Sequence, residues 1–193
     1  EEIRTYYSDE SSQRWTPLPR VAVSRSTQTV ESETDHFTFM INAGLVRSSI
    51  PAGPVTLKRI MEVLPFDSTL ISFHITGAQL HSALENSVSR LPQSAGRFLQ
   101  VSGLTVSFDA TAPSGARITR VLVNGAPLDP TRLYSVATDH FIAEGGDGYS
   151  IFLQAVNRRD HQIPLRDVLV SALKAGPLTA KEEGRTRPLP TGR

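Results

Sequence analysis

The stretch Leu133-Tyr134-Ser135-Val136-Ala137-Thr138-Asp139-His140-Phe141-Ile142-Ala143-Glu144-Gly145-Gly146-Asp147-Gly148-Tyr149 carries a strand signal that runs directly into a glycine-rich loop. Residues 133–138 mix apolar and β-branched side chains, which suits a strand. The three glycines around Asp147 allow a tight turn and close backbone approach. Outward from this stretch, Phe37-Thr38-Phe39-Met40-Ile41 is mostly apolar and closes at Asn42 before the turn Ala43-Gly44, as expected of a buried strand. Thr69 to Thr76 and Leu99 to Phe108 read as further strands, the second with a break at Gly103. Val121-Leu122-Val123 followed by Asn124-Gly125 is a hairpin signal, because both turn residues tolerate positive φ.

Helical periodicity lies between these strands. Thr56 is an N-cap candidate for a helix to Leu64 that places Leu57, Ile60, Met61 and Leu64 on one face and stops at Pro65. Gly77 to Arg90 spaces Leu80, Leu84 and Val88 by four, with Ala83 between them. A last helix spans Pro164 to Ala175, with Gly176 beyond its end. Val21 and Val23 mark a short strand, and residues 28–36 (QTVESETDH) a polar, acidic loop. Helices and strands are interspersed without a βαβ rhythm, so the fold expected is α/β or α+β: a mixed-sheet sandwich with flanking helices. The organisation expected is a leading linker or edge segment over residues 1–20, one domain over 21–185, and a loose Arg- and Pro-rich tail over 186–193.

Composition narrows the chemistry. The 193 residues suffice for one hydrophobic core, and 39% hydrophobic with 20% charged residues is a globular composition. The formal net charge of +1, with no run of Lys or Arg, gives no basis for nucleic-acid binding. The absence of cysteine excludes disulfides, thiolate metal sites and thiol nucleophiles. No apolar run reaches the roughly 20 residues of a membrane span. The chain starts at Glu1 with neither initiator Met nor signal peptide, the start expected of a segment of a longer protein or of a processed one. His36, His74, His81, His140 and His161 form no metal-binding spacing, and there is no Gly-x-Ser-x-Gly elbow, Walker motif or dinucleotide fingerprint. No catalytic residue and no metal ligand is therefore assigned within this chain.

Several segments in order carry a resemblance: INAGLVRSSIPAGPVT (41–56), LPFDSTL (64–70), GAQLHSALENSVSR (77–90), GRFLQVSGLTVSFD (96–109), VNGAPLDP (123–130) and FIAEGGDGY (141–149). Their order and spacing resemble the C-terminal, substrate-binding domain of the 5'-nucleotidase, UDP-sugar hydrolase and 2',3'-cyclic-nucleotide phosphodiesterase family, from about Val21 to AGPLTAKEEGR (175–185). The resemblance implies a base held between the rings of Phe66 and Phe141. It places Asp147 on the ribose hydroxyls, with Gly145 and Gly146 giving backbone access to the sugar, Asn42 beside the base, and Arg25 and Arg47 on phosphate. It also implies that no cofactor is bound here. Two divalent metal ions and the hydrolytic chemistry belong to a separate N-terminal metallophosphoesterase domain, so the isolated chain is expected to be inactive. The implied ligand is a nucleotide or nucleoside, and the implied location is extracellular or periplasmic.

Three positions depart from the family pattern. Leu45 stands where a second glycine is usual, and Asp67 where Gly or Asn is usual. Residues 30–36 are too few for the helix that the family carries between RSTQT and FTFMINAG. The alternative these departures support is a non-catalytic or degenerate module that kept the fold as a nucleotide-binding or interaction domain.

Overall fold

The computed structural model describes residues 37–50, 54–176 and 183–189, and the backbone of short strands nearer the start of the chain. Of these, β1 (Glu2–Ile3) pairs antiparallel with β4 (Val21–Ala22), and β2 (Tyr6–Ser8) with β3 (Trp15–Pro17). Arg25, the loop over 28–36 and the shortened helix segment lie outside the described residues.

The main sheet is five-stranded, in the order β12-β6-β11-β5-β7. Its members are β5 (Phe37–Asn42), β6 (Thr69–Thr76), β7 (Leu99–Ser102), β11 (Leu133–Asp139) and β12 (Val156–Pro164). β11 and β5 run parallel, with Val136 opposite Thr38, whereas the other pairings are antiparallel. A second sheet of four strands has the order β10-β9-β8-β13. It comprises β8 (Leu104–Phe108), β9 (Ile118–Val123), β10 (Ala126–Pro127) and β13 (Thr186–Pro188), the last parallel to β8. The expected mixed α/β architecture is therefore the observed one.

The inner strands of the main sheet are covered on both faces, which explains why β5, β6 and β11 read as mostly apolar runs rather than as alternating ones. On β5, Met40 points into one core with Phe73, Ile75, Val106, Val123, Val136 and Leu84. Its neighbours Phe39 and Ile41 point into another, with Ile60, Val63, Leu70, Val168 and Leu169. The first core lies between the two sheets and α2 (Gly77–Val88), and the second under α1 (Leu57–Val63) and α4 (Leu165–Lys174). Full burial of each such side chain contributes about 1.5–3 kcal/mol.

Local signals set the helix ends. Thr76 and Gln79 form a reciprocal capping box on α2: the Thr76 hydroxyl accepts from Gln79 N–H at 3.2 Å, and Gln79 Oε1 accepts from Thr76 N–H at 2.8 Å. Glu85 of α2 is buried and accepts from the backbone N–H groups of Arg117 (3.1 Å) and Ile118 (2.7 Å), tying the helix to the start of β9. Gly103 separates β7 from β8 with φ +77, and a Cβ there would sit 2.5 Å from Phe37 O, so glycine is required where the chain passes between sheets.

Two expectations are corrected, and one strand appears where none was read. α1 forms where its periodicity predicts, capped by Thr56, but Leu57 and Met61 are 62% and 51% exposed; Ile60, Val63 and Leu64 face the core. β12 (VNRRDHQIP), for which the sequence carries no strand signal, is an edge strand that pairs with β6 among the described residues, irregular in register, so it needs no apolar alternation. Residues 186–188, expected in a loose tail, form β13. The exposed edge of β8 gives their backbone partners, with Val106 N–H donating to Arg185 O at 2.6 Å and Leu189 N–H to Phe108 O at 2.7 Å.

Candidate functional site

Strand polarity collects the candidate residues at one end of the main sheet. The parallel strands β5 and β11 end there, at Asn42 and Asp139. Their antiparallel neighbours begin there: Leu70 of β6 pairs with Asp139, and Leu99 of β7 with Asn42. Four connections thus converge: a 3-10 turn at Ala43–Leu45, the Phe66–Ser68 segment before β6, the Gly96 turn before β7, and the loop after β11.

A cleft of about 720 Å³ opens between them. This volume lies within the range of ~300–1,000 Å³ usual for small-molecule sites. Asn42, Arg47, Phe66, Phe141, Gly146 and Asp147, all expected at a site, line it together. Gly145 does not line it; its φ of +86 sets up the turn that follows α3 (His140–Ala143). Gly44, Leu45, Asp67, Ser68, Gly96, His140 and Glu144 complete the walls. Of these, Ser68, Gly96, His140 and Glu144 carry no sequence signal that sets them apart. Proximity to Phe66 and Phe141 along the chain was the available pointer to Ser68, His140 and Glu144.

Phe66 and Phe141 are 51% and 50% exposed, although both are large apolar side chains on short connections. The Phe141 ring lies against the backbone of Gly146: a Cβ at that position would meet three ring atoms at 2.6–2.7 Å. Asp147 adopts φ 54 and ψ 20, a left-handed conformation that is costly for a residue with a Cβ. Two amide side chains hold it there. Asn42 Nδ2 donates to Asp147 Oδ2 at 2.6 Å, and Asn86 Nδ2 donates to the Asp147 carbonyl at 3.1 Å. Asn86 accepts in turn from Arg97 Nη1 at 3.0 Å, and the buried Tyr149 hydroxyl donates to Arg97 O. Burial pushes the Tyr149 hydroxyl well above the usual phenol range.

Both unusual residues of the cleft's first strand and loop have defined places. Leu45 is buried in the second core and also forms part of the cleft wall. Asp67 is paired with Arg166 of α4, which compensates the carboxylate beside Phe66. Glu144 is paired similarly with Arg158 of β12, whose guanidinium also donates to Ala143 O at 2.9 Å. Arg47 is exposed, and among the described residues it makes a long contact, 3.5 Å, to Gly44 O.

Asp139 sits beneath the cleft, fully buried. Its Oδ1 accepts from Phe141 N–H (2.9 Å), Ile142 N–H (3.4 Å) and the Ser68 hydroxyl (3.3 Å), while Oδ2 has no partner among the described residues. Burial raises its carboxyl above the ordinary value, against the lowering effect of these donors. Among the described residues, no three His, Asp or Glu side chains are grouped so as to hold a metal ion.

Residues 24–154 match the family described as 5'-nucleotidase, C-terminal domain. The chain is 33% identical over 153 residues to a trifunctional nucleotide phosphoesterase of Bacillus subtilis, covering 76% of this chain and 10% of that protein. It is 35% identical over 132 residues to a snake venom 5'-nucleotidase of Naja atra, covering 62% of this chain and 25% of the venom protein. Among solved structures, a 5'-nucleotidase precursor of Thermus thermophilus superposes with a TM-score of 0.78 at 36% identity, over 86% of this chain and 33% of the other. The chain therefore spans a third or less of the length of these relatives.

Proposed function

This chain belongs to the 5'-nucleotidase C-terminal domain family, and from that premise we propose that it is the substrate-recognition domain of a nucleotide phosphoesterase. The observation that carries the reading is the position of Phe66 and Phe141. Two half-exposed rings line one cleft with Asp147, Asn42 and Arg47 at its walls. An aromatic face stacks on any nucleobase, contributing ~1–3 kcal/mol per face. In this reading the base lies between the two rings with Asn42 at its edge, and Asp147 accepts from the ribose hydroxyls. Arg47 meets phosphate oxygens, to which a planar guanidinium fork is matched, and Arg25 is assigned the same role.

Bond cleavage is assigned to a separate metallophosphoesterase domain, the partner that this reading requires. The contribution of the present domain is to fix the nucleotide's orientation for that chemistry. The relation to a venom enzyme supports an extracellular or periplasmic setting. No helix among the described residues is long and apolar enough to cross a membrane.

Isothermal titration with AMP, adenosine and UDP-glucose tests the proposal. After association costs, two stacked faces leave binding of roughly millimolar strength. Phe141→Ala is expected to weaken adenosine binding about tenfold. A folded wild-type protein that binds none of the three ligands would overturn the proposal in favour of an interaction module that kept only the fold.

A further inference from the structure

We propose that Asp139 is a positioning residue for the cleft: through Ser68 it fastens together the two loops that carry Phe66 and Phe141. The proposal rests on the reading that these rings form the ligand clamp. One oxygen of Asp139 serves both loops. It accepts from Phe141 N–H at 2.9 Å and from the Ser68 hydroxyl at 3.3 Å, a side chain 71 positions away in sequence. Phe66 lies two residues before Ser68; its neighbour Asp67 is paired with Arg166 of α4, and the Ser68 bond links the same segment to the Phe141 loop. Ser68 is itself held from the other side, because its carbonyl accepts from Leu165 N–H at 3.0 Å at the start of α4. The two rings are half exposed, so side-chain packing alone does not set their separation.

The chemistry of Asp139 fits a positioning role better than a plain helix cap. A surface aspartate would cap the short α3 equally well and keep both oxygens solvated. Asp139 instead is fully buried, and its Oδ2 finds no hydrogen-bond partner among the described residues. A buried polar atom left unmatched is costly and calls for a compensating use. The shared Oδ1 supplies that use: it makes the position of one clamp wall depend on the other.

Fluorine NMR of the full chain, with 4-fluorophenylalanine placed separately at positions 66 and 141, tests this without requiring ligand. Asp139→Ala is expected to shift or broaden both signals, and Asp139→Asn, which keeps an acceptor at Oδ1, to restore both. Ser68→Ala should move the signal at 66 more than that at 141, and it decides the matter should Asp139→Ala fail to fold. An unchanged signal at 66 in Ser68→Ala, or a signal at 66 that Asp139→Asn does not restore, would overturn the proposal. Adenosine titration of the same unlabelled variants forms the second arm: a loss of about tenfold in Asp139→Ala is expected, with Asp139→Asn within threefold of wild type. Should wild type bind no adenosine, the ligand reading falls while the fluorine signals still decide whether the two loops are linked.

Discussion

Asn42 and Asp147, 105 positions apart, are joined by a hydrogen bond of 2.6 Å from the Asn42 amide to the Asp147 carboxylate. The bond connects the end of β5 to the left-handed turn at Asp147, so it joins two segments of the cleft wall. It also orients the carboxylate: one oxygen is held, and the group cannot swing freely into the cleft.

Asn42→Asp should break this arrangement in a pH-dependent manner. Two carboxylates in contact cannot both remain ionised without cost. Loss of a hydrogen bond to a charged group corresponds to about 2 kcal/mol. The expected result is a destabilisation of that order near pH 7 that shrinks as pH falls towards 4, where one carboxyl gains a proton and can donate. Denaturant titration at both pH values measures it, and a pH-independent difference would contradict the direct contact.

Gly146→Ala separates binding from folding. The new methyl would lie 2.6 Å from the Phe141 ring, which must move, yet that ring is half exposed and has room to do so. The melting temperature should therefore change little. Adenosine affinity should fall about tenfold, as for loss of one stacking face. A variant that binds as wild type would show that the ring's seat on Gly146 does not matter for the ligand.

The sequence made different parts of the molecule legible for identifiable reasons. β5, β6 and β11 could be placed because burial on both faces demands apolar runs. The Asn124-Gly125 turn could be placed because its observed φ values, 48 and 85, are ones those residues tolerate. β12 was hidden because an edge strand can be polar throughout, and β13 because three residues ending in Pro188 carry no pattern. Periodicity found α1 but misjudged its face: Leu57 and Met61 satisfy the spacing, and only the packing of Ile60, Val63 and Leu64 shows which side is buried. In the cleft, Phe66, Phe141 and Asp147 were nameable through the family resemblance. Asp139 and Ser68 were not, because an aspartate before a helix reads as an ordinary cap and its burial is a property of the tertiary fold.

Gly103 and Gly125 both have positive φ, +77 and +85, but only Gly103 is crowded: a Cβ there would lie 2.5 Å from Phe37 O, whereas one at Gly125 would meet nothing within 4 Å. Conformational strain alone is worth about 1–2 kcal/mol for alanine in the left-handed region. Gly125→Ala should cost that amount. Gly103→Ala adds a clash with backbone that cannot yield without moving β5, so it should cost clearly more, about 3 kcal/mol or above. Equal unfolding free energies for the two variants would show that the passage between sheets at Gly103 is not as tight as described.

Asp139→Asn tests the electrostatic side of the buried carboxyl. Burial is the largest influence on Asp139 and raises its folded-state value above the ordinary 3.8. A carboxyl raised in the folded state favours folding while it is protonated. Its contribution is full below the unfolded value and is lost as pH rises through the folded one. Asparagine keeps the Oδ1 acceptor for Phe141 N–H and Ser68 but has no charge to bury. The stability of Asp139→Asn relative to wild type should therefore increase as pH rises above the ordinary carboxyl value of 3.8, with near equality below it. Unfolding titrations across that window give the slope directly. A difference that stays constant, or that declines with pH, would mean the carboxylate is stabilised in place as an ion, with the unpartnered oxygen matched by solvent.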